Sequence, residues 1–365
     1  MSEKIETESV GELLTTTELI ARAKARLSVP AWEFVAGGAE TEATLKRNRY
    51  ALDCIAFRPR VLRNVSGTDL ATTFIGTKQR MPVLLAPLAS LTEIHPDGAL
   101  PIARAANTFG CLMVVSSVTR PGLDEVARAA GDNLVFQLYT DGDDHWVLDE
   151  AKRAADLGCK ALCLTIDVPT FGRRERHIHA RQSLDGRPFG ELRAGEGHRG
   201  RADWKLVDKL RRALEVPLIV KGVQTAEDAS LALQHGVDVI YVSNHGGRQL
   251  DHARGAIDLL PEVVAAAGGK AELVVDGGFV RGTDVLKGVA RGAAMVGIGR
   301  LQALALGAAG EAGVLRMLEL LETELRVTMK LLGVNRCAEL DGAYLQPAPA
   351  VVAPQPLGAF PLLGA

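Results

Sequence analysis

Residues 217–242 read PLIVKGVQTAEDASLALQHGVDVIYV and show the repeating unit of the chain. An apolar run at 217–220 is followed by a segment with three-to-four spacing of apolar residues at 225–234, and then by a second apolar run at 238–242. The threonine that opens the middle segment can cap a helix, and a glycine stands where that helix would end. The pattern predicts a strand, a helix and a second strand, the unit from which parallel sheets are built.

The same unit recurs along the chain. Strand-length apolar runs, several of them rich in Val and Ile, lie at 81–86, 111–115, 134–138, 161–166, 217–220, 238–242, 272–275 and 294–298. Segments with helical spacing separate them, at 97–109, 122–130, 144–157, 202–214, 225–234, 257–267 and 282–290. This alternation predicts an α/β fold, a parallel (β/α)8 TIM barrel. An open, doubly wound sheet is the alternative, and two separate α/β domains are disfavoured because no linker interrupts the series.

The remaining segments predict the domain organisation. Residues 1–80 are expected to form helices packed on one end of the barrel, 81–333 the barrel with closing helices at 301–332, and 334–365 a tail rich in Pro and Ala, extended or disordered. The largest gap, 169–216, predicts a long, polar, mobile loop over the active face after strand four. Residues 1–10 are polar and acidic, which is not expected of a signal peptide.

Composition narrows the class of protein. The chain has 365 residues, of which 47% are hydrophobic, so a large core is expected. With a net charge of −2, neither nucleic acid nor an anionic membrane is expected as a partner, and no apolar run reaches the roughly 18 residues of a membrane span. Cys159 and Cys163 are interpreted as small buried residues, with a redox pair as the alternative, and reduced thiols fit a cytoplasmic protein. His177 and His179 indicate a basic loop better than a metal site, because no third ligand lies nearby.

Functional groups of a barrel enzyme follow its strands. They are, from the first strand to the eighth, Ala86, Pro87, Leu88 and Ala89; Ser116; Gln137 and Tyr139; Thr165, Asp167 and Arg174; Lys221; Ser243, His245 and Arg248; Asp276, Gly277 and Gly278; Gly299 and Arg300. The histidine after strand six can accept a proton near neutral pH, and the arginine three residues later can hold a carboxylate through a two-point fork. This pairing indicates proton removal from a small acid.

Two glycine-rich turns, after strands seven and eight, indicate a phosphate site. Backbone N–H groups can approach a phosphate there, and Arg300 would neutralise its charge. Lys221 is either a structural ion-pair partner or a cation that faces an anionic cofactor. The phosphate site favours the second interpretation.

The motif SNHGGRQLD at 243–251, with DGG at 276–278 and IGR at 298–300, resembles the FMN-dependent 2-hydroxy acid oxidases and dehydrogenases. This family includes glycolate oxidase, lactate oxidase and mandelate dehydrogenase. The resemblance extends from about residue 19 to residue 333, and the AGGA motif at 36–39 with the Pro-rich tail is most similar to the 4-hydroxymandelate oxidase branch. It implies FMN as cofactor and oxidation of an L-2-hydroxy acid to the 2-oxo acid. Oxygen is the expected acceptor, giving hydrogen peroxide, and the expected assembly is a homotetramer.

The resemblance also implies roles. His245 would be the base and Asp167 its partner, Arg174 and Arg248 would bind the substrate carboxylate, and Tyr139 the substrate hydroxyl. Lys221 would stabilise the reduced flavin. The implied cofactor-binding residues are Ala86, Pro87, Leu88, Ala89, Ser116, Gln137, Thr165, Lys221, Ser243, Asp276, Gly277, Gly278, Arg281, Gly299 and Arg300.

Three positions depart from the family pattern. Phe34 replaces a tyrosine that donates to the substrate carboxylate, and Val118 replaces a bulkier residue, so the pocket is expected to accept an aromatic or bulky substrate. Val280 replaces an arginine near the phosphate, where either Arg281 substitutes or phosphate binding depends on Arg300 and backbone donors. A quinone or protein acceptor stays open, as do a biosynthetic oxidase acting on an amino acid or carrier-bound intermediate, a non-redox FMN barrel and a flavin-binding protein without catalysis.

Overall fold

The structure is a computed structural model that describes residues 9–179, 196–351, 355–357 and 359–360. Eight parallel strands, β4 to β11, form a closed barrel in which β11 pairs with β4. The barrel strands are β4 Val83–Leu85, β5 Met113–Ser116, β6 Leu134–Leu138, β7 Leu162–Thr165, β8 Leu218–Val223, β9 Val239–Val242, β10 Glu272–Val275 and β11 Met295–Ile298. Three short strands lie outside it, β1 Ile55–Phe57, β2 Thr72–Phe74 and β3 Thr77–Gln79, with β12 Leu345–Pro347 near the C-terminus. The predicted (β/α)8 barrel is confirmed.

Helices cover the outside of the barrel. The α-helices are α1 Thr16–Arg26, α2 Val29–Ala36, α3 Ala43–Asp53, α4 Leu100–Phe109, α5 Leu123–Ala130, α6 Asp144–Asp156, α7 Glu175–His179, α8 Glu196–Arg199, α9 Trp204–Ala213, α10 Ala226–Gln234, α11 Ala256–Ala267, α12 Gly282–Ala290 and α13 Arg300–Leu332. Short 3-10 turns occur at Val10–Glu12, Leu91–Glu93, His245–Gly247, Cys337–Glu339 and Gly342–Tyr344. The backbone of α13 leaves the helical conformation at Ala309 and Gly310, so two helical pieces close the barrel.

Side-chain alternation along the strands creates two rings inside the barrel. The lower ring is apolar apart from one tyrosine hydroxyl and one thiol, and consists of Leu84, Val114, Val135, Cys163, Ile219, Tyr241, Val274 and Met295. Residues two positions later point to the same inner side, because alternate residues of a strand share a face. They form the upper ring, which is Ala86, Ser116, Gln137, Thr165, Lys221, Ser243, Asp276 and Gly297. One end of the interior is therefore hydrophobic, and the carboxyl end of the strands is mostly polar.

The segment before the barrel contains strands as well as the expected helices. Strands β2 and β3 form an antiparallel hairpin around Ile75 and Gly76, which both have positive φ. Phe74 is fully buried and packs with the lower ring, so the hairpin contributes to the core at the amino end of the barrel. The two three-residue strands are too short to give a periodic signal, and the prediction of helices alone was therefore incomplete.

The C-terminal tail is more ordered than its composition suggests. Strand β12 pairs antiparallel with β1, and Phe360 is 2% exposed, with its ring near the guanidinium of Arg281. Composition averages over many Pro and Ala residues and overlooks single apolar anchors such as Phe360. The tail was expected to be extended or disordered, and β12 is an extended segment, whereas the burial of Phe360 was not predicted.

The excursion after β7 is described in part. Helix α7 carries His177, where a basic loop was expected, and the ring of His177 stacks on that of Phe34 with centroids 5.8 Å apart. Residues 180–195 of the predicted mobile loop lie outside the described residues. Within the described part of the chain, no helix is long and apolar enough to cross a membrane.

Candidate active site

A cavity lies at the carboxyl ends of the barrel strands. Most residues that the sequence singled out contribute to its wall. Those that line it are Phe34, Ala86, Pro87, Leu88, Ala89, Val118, Tyr139, Arg174, Lys221, His245, Arg248, Asp276, Gly277, Gly278, Gly299 and Arg300. The position of the cavity follows from the fold, because parallel strands all deliver their carboxyl ends to this face.

His245, which lines this cavity, contacts the carboxylate of Asp167. The Nδ1 atom of His245 lies 3.0 Å from Oδ1 of Asp167, and both side chains are largely buried. The backbone of His245 has a φ of 55°, an unusual conformation for a residue other than glycine. Its amide donates to Oγ of Ser243 over 3.0 Å, which helps to hold this turn. The contact leaves Nε2 as the ring nitrogen that can exchange a proton.

Burial and charge set the protonation of this pair. Burial lowers the pKa of His245 below its ordinary value, while the carboxylate of Asp167 partly raises it again. For Asp167, burial would raise the pKa, but the positive charges of His245 and Lys221 hold it below its ordinary value. At neutral pH the carboxylate is therefore ionised and the imidazole is neutral, the state in which it can accept a proton.

Lys221 belongs to a buried hydrogen-bonded group in the upper ring. Its Nζ atom donates to Oγ of Ser243 over 2.9 Å and lies 3.5 Å from Oδ2 of Asp276. Ser243 in turn donates to Oδ1 of Asp276 over 2.6 Å. Burial would lower the pKa of Lys221, but Asp276 and Asp167 raise it above its ordinary value. The structure therefore shows a buried ammonium ion that faces the cavity and has an ion-pair partner.

Arg248 brings a positive charge to the cavity without a carboxylate beside it in the described part of the chain. Its Nη1 atom donates to the carbonyl oxygens of Phe34 and Gly37, at 2.7 and 3.1 Å, and its guanidinium lies 4.9 Å from the ring centroid of Phe34. Burial lowers its pKa well below the ordinary value, and the charges of Arg174 and Arg300 lower it further. A bound anion would relieve this repulsion.

The two arginines expected near a phosphate are placed differently. Arg300 lines the cavity and donates to the carbonyl oxygens of Val35, Gly246 and Gly37. Burial lowers its pKa to about 10. Arg281 is not among the cavity residues.

The guanidinium of Arg281 instead pairs with Glu324 at 2.9 Å and donates to Oγ1 of Thr16. The structure thus does not bring Arg281 to the cavity, because a carboxylate on α13 holds its side chain elsewhere. Val280 lines the cavity in its place.

Comparison with known proteins decides the family. A model of the FMN-dependent dehydrogenase family matches residues 23–347. The chain belongs to this family. It is 42% identical over 352 residues to glycolate oxidase 5 of Oryza sativa subsp. japonica, covering 91% of this chain and 95% of that protein. Glycolate oxidase of Spinacia oleracea is 40% identical over 355 residues, covering 92% of this chain and 96% of the relative.

Solved structures of mandelate oxidase are similar in fold. One, with (S)-4-hydroxymandelic acid, has a TM-score of 0.87 at 36% identity and covers 93% of this chain and 100% of that one. Another, with benzoyl-formic acid, has a TM-score of 0.85 at 37% identity and covers 93% of this chain and 99% of the other. This FMN-dependent dehydrogenase family member is therefore similar to oxidases of 2-hydroxy acids over almost its whole length, and FMN is its cofactor.

The upper ring fits an FMN group. Oγ of Ser116, both polar atoms of the Gln137 amide and Oγ1 of Thr165 are buried and have no hydrogen-bond partner among the described residues. A buried polar group without a hydrogen-bond partner lowers stability by about 1–3 kcal/mol, so a bound ligand that pairs with these atoms would remove this cost. The polar edge of a flavin ring carries both donors and acceptors and would satisfy them.

The sequence analysis did not single out Arg199, one of the cations that line the cavity. Arg199, at the end of α8, lines the cavity and is 6% exposed. Its guanidinium lies 4.3 Å from the ring centroid of Tyr139 and 4.9 Å from that of Phe171. It follows a stretch rich in Gly, Arg and Glu that has no periodic pattern, so nothing local distinguished it from the arginines around it.

Proposed function

We propose that this chain oxidises an (S)-2-hydroxy acid to the corresponding 2-oxo acid and passes the electrons to oxygen, which gives hydrogen peroxide. The observation that carries the proposal is the buried His245, 3.0 Å from Asp167 and in the same cavity as the cations Arg174 and Arg248. A base next to two guanidinium groups suits a substrate whose acidic C–H or O–H bond lies next to a carboxylate. The similarity to glycolate oxidases and mandelate oxidases supports the same reaction.

The substrate carboxylate would bind Arg248 and Arg174. Both line the cavity, and their mutual repulsion favours an anion between them. Tyr139 is 9% exposed and lines the same wall, where its hydroxyl would bond the substrate hydroxyl. Three contacts would then fix the α-carbon of the acid near His245.

His245 would take a proton from the bound substrate at Nε2, because Nδ1 is engaged by Asp167. The ionised carboxylate of Asp167 would stabilise the imidazolium that results. Bound FMN supplies the other half of the oxidation by accepting two electrons from the substrate. Oxygen would finally take up these two electrons and two protons. The balance is one 2-hydroxy acid and one oxygen molecule converted to one 2-oxo acid and one hydrogen peroxide.

Other residues would hold the cofactor. The unpartnered atoms of Ser116, Gln137 and Thr165 would bond the flavin ring, and the ammonium of Lys221 would stabilise negative charge on the reduced ring. Glycines at 277, 278 and 299 would expose backbone N–H groups to the phosphate, with Arg300 as the neighbouring cation. The bound cofactor would also contact Ala86, Pro87, Leu88, Ala89, Ser243 and Asp276.

The pocket favours an aromatic or bulky acid. Phe34 presents an apolar ring under Arg248, and Val118 lines the cavity with a small side chain. The mandelate oxidases with a similar fold were crystallised with the aromatic acids (S)-4-hydroxymandelic acid and benzoyl-formic acid. We therefore place mandelate-like acids ahead of glycolate.

Anaerobic mixing of the FMN-loaded protein with glycolate, lactate, (S)-mandelate and (R)-mandelate tests the proposal. Bleaching of the flavin absorbance is expected, fastest with (S)-mandelate, and readmission of air should yield one peroxide per turn. Bleaching by none of these acids, or bleaching only by amino acids, would overturn the substrate class. Bleaching without peroxide in air would point to a quinone or protein acceptor.

Assembly and location are part of the same proposal. All five cysteines are free, which supports a reducing compartment, and the cytoplasm is our choice. A homotetramer is inferred from the family resemblance. Light scattering after size exclusion would test it, and a monomer mass would overturn it.

A further inference from the structure

Two nitrogens of the Arg199 guanidinium bind a carboxylate, and the third has no hydrogen-bond partner among the described residues. Its Nε atom pairs with Oδ1 of Asp141, and its Nη2 atom donates to Oδ2 of the same carboxylate over 3.0 Å. The third nitrogen, Nη1, is buried and has no hydrogen-bond partner among the described residues. The side chain is 3% exposed and that of Asp141 17%, so solvent gives this edge little compensation. A buried donor of this kind requires an explanation.

The guanidinium cannot easily turn to find another partner. The two-point contact with Asp141 fixes its orientation within its own plane. The rings of Tyr139 and Phe171 lie against it, at 4.3 and 4.9 Å, and restrict the tilt of the plane. All three of these cavity-lining side chains, Arg199, Tyr139 and Phe171, belong to the same wall. Nη1 is therefore a donor held in a fixed orientation, on a side chain that lines the cavity.

The charge environment distinguishes Arg199 from Arg248. Arg248 has no carboxylate partner in the described part of the chain and lies among like charges, so it suits an anion. Arg199 already forms an ion pair with Asp141, so a second carboxylate there would gain little from its charge. An uncharged oxygen, such as a hydroxyl, ether or carbonyl oxygen, gains the hydrogen bond.

We propose that Nη1 of Arg199 recognises an uncharged hydrogen-bond acceptor on the side chain of the 2-hydroxy acid. The inference rests on the proposed function and refines its substrate class. Arg199 is then a residue that determines specificity and takes no part in the oxidation itself.

A size-matched pair of substrates isolates this contact. (S)-4-Hydroxymandelate and (S)-4-methylmandelate have similar shapes, but only the first carries an acceptor, and the 3-substituted pair covers the other ring position. The ratio of their kcat/KM values in anaerobic flavin reduction, together with the ratio of Kd values for the matching 2-oxo acids from flavin absorbance, measures the preference. The wild type is expected to prefer a hydroxyl-bearing acid by about tenfold or more, as a hydrogen bond to a charged group predicts.

The variants should not leave the buried carboxylate of Asp141 without a partner. Arg199→Met combined with Asp141→Asn removes the donor and neutralises its partner, and Arg199→Lys keeps the charge but changes the direction of donation, should the double variant fail to fold. Both are expected to reduce the preference to near unity while (S)-mandelate itself is still oxidised. Arg153→Met, which removes a comparable ion pair with Asp124 at the surface, should leave the preference unchanged.

Equal losses for the hydroxyl and methyl compounds would assign Arg199 to the support of Tyr139 and overturn the proposal. A wild type with no preference for any of the hydroxyl compounds would overturn it too. Failure of the proposed function looks different, since no 2-hydroxy acid would then bleach the flavin.

Discussion

The Nδ1 atom of His245 lies 3.0 Å from Oδ1 of Asp167, although 78 positions separate the two residues along the chain. Asp167 follows β7 and His245 follows β9, so β8 lies between them in the barrel. Gly222 on β8 makes the approach possible, because a Cβ atom there would lie 2.6 Å from Cβ of Asp167. The contact between the proposed base and its carboxylate partner thus depends on the absence of a side chain in a third strand.

Substitution of this glycine should break the contact. Gly222 has a φ of +112°, so Gly222→Ala combines backbone strain with the clash against Asp167. We expect a loss of about 2 kcal/mol or more in the free energy of unfolding and a drop of about tenfold or more in flavin reduction. Gly110→Ala is the matched control, since Gly110 has a φ of +81° with no atom near its missing Cβ. Equal behaviour of the two variants in denaturant titration and stopped-flow reduction would refute this role of Gly222.

Removal of the base should abolish substrate oxidation. His245→Asn is the preferred variant, because asparagine tolerates the positive φ of this position better than alanine. We expect flavin reduction by (S)-mandelate to slow by about 10²–10⁴-fold, with FMN still bound and yellow. His235→Asn, at a partly exposed pair with Asp208, should reduce flavin at the wild-type rate. Reduction by His245→Asn within about threefold of the wild type would remove His245 from the mechanism.

The pH dependence of kcat/KM should show that His245 acts in its neutral form. Because burial lowers the pKa of His245, kcat/KM should fall with decreasing pH only below the ordinary value of 6.5. Asp167 partly raises that pKa, so Asp167→Asn should move the acidic limb to still lower pH, while the maximal rate falls because the imidazolium loses its partner. Steady-state profiles of both proteins measure the shift. A limb that stays in place, or that moves to higher pH, would contradict this assignment.

Arg248 should bind the substrate and also lower the free energy of unfolding of the substrate-free protein. Its guanidinium is buried among like charges, so Arg248→Met should raise the free energy of unfolding of the substrate-free protein by about 1 kcal/mol. The Kd of a 2-oxo acid should rise by about 100-fold, since the anion loses a buried partner. Arg254→Met removes a surface pair with Glu262 and should change the unfolding free energy by less than about 1 kcal/mol. Unchanged ligand affinity in Arg248→Met would refute its role.

Much of the architecture could be predicted because its causes are local. The strands and helices lie within about three residues of their predicted positions, as for the helix predicted from 97 that begins at Leu100. Gln137, Thr165 and Lys221 could be assigned to strand ends, because the two-residue period of a strand and the order of the units depend only on neighbouring residues.

Contacts between distant segments could not be predicted in this way. The hairpin that places Phe74 under the barrel, the turn of Arg281 towards Glu324 and the burial of Phe360 each require a partner far along the chain. Arg199 is the sharpest case, since its role in the cavity depends on Asp141 and on the rings of Tyr139 and Phe171.

The sequence by itself therefore determined the barrel and the polar ends of its strands, and it predicted a base beside a carboxylate-binding cation. Only the tertiary structure decided which charges are paired and which remain open. Alternation and helix capping arise from groups a few residues apart, whereas the pairing of a buried charge depends on what the folded chain packs against it. In this protein, sequence motifs indicate the reaction. The substrate specificity that we assign to Nη1 of Arg199 follows only from tertiary contacts.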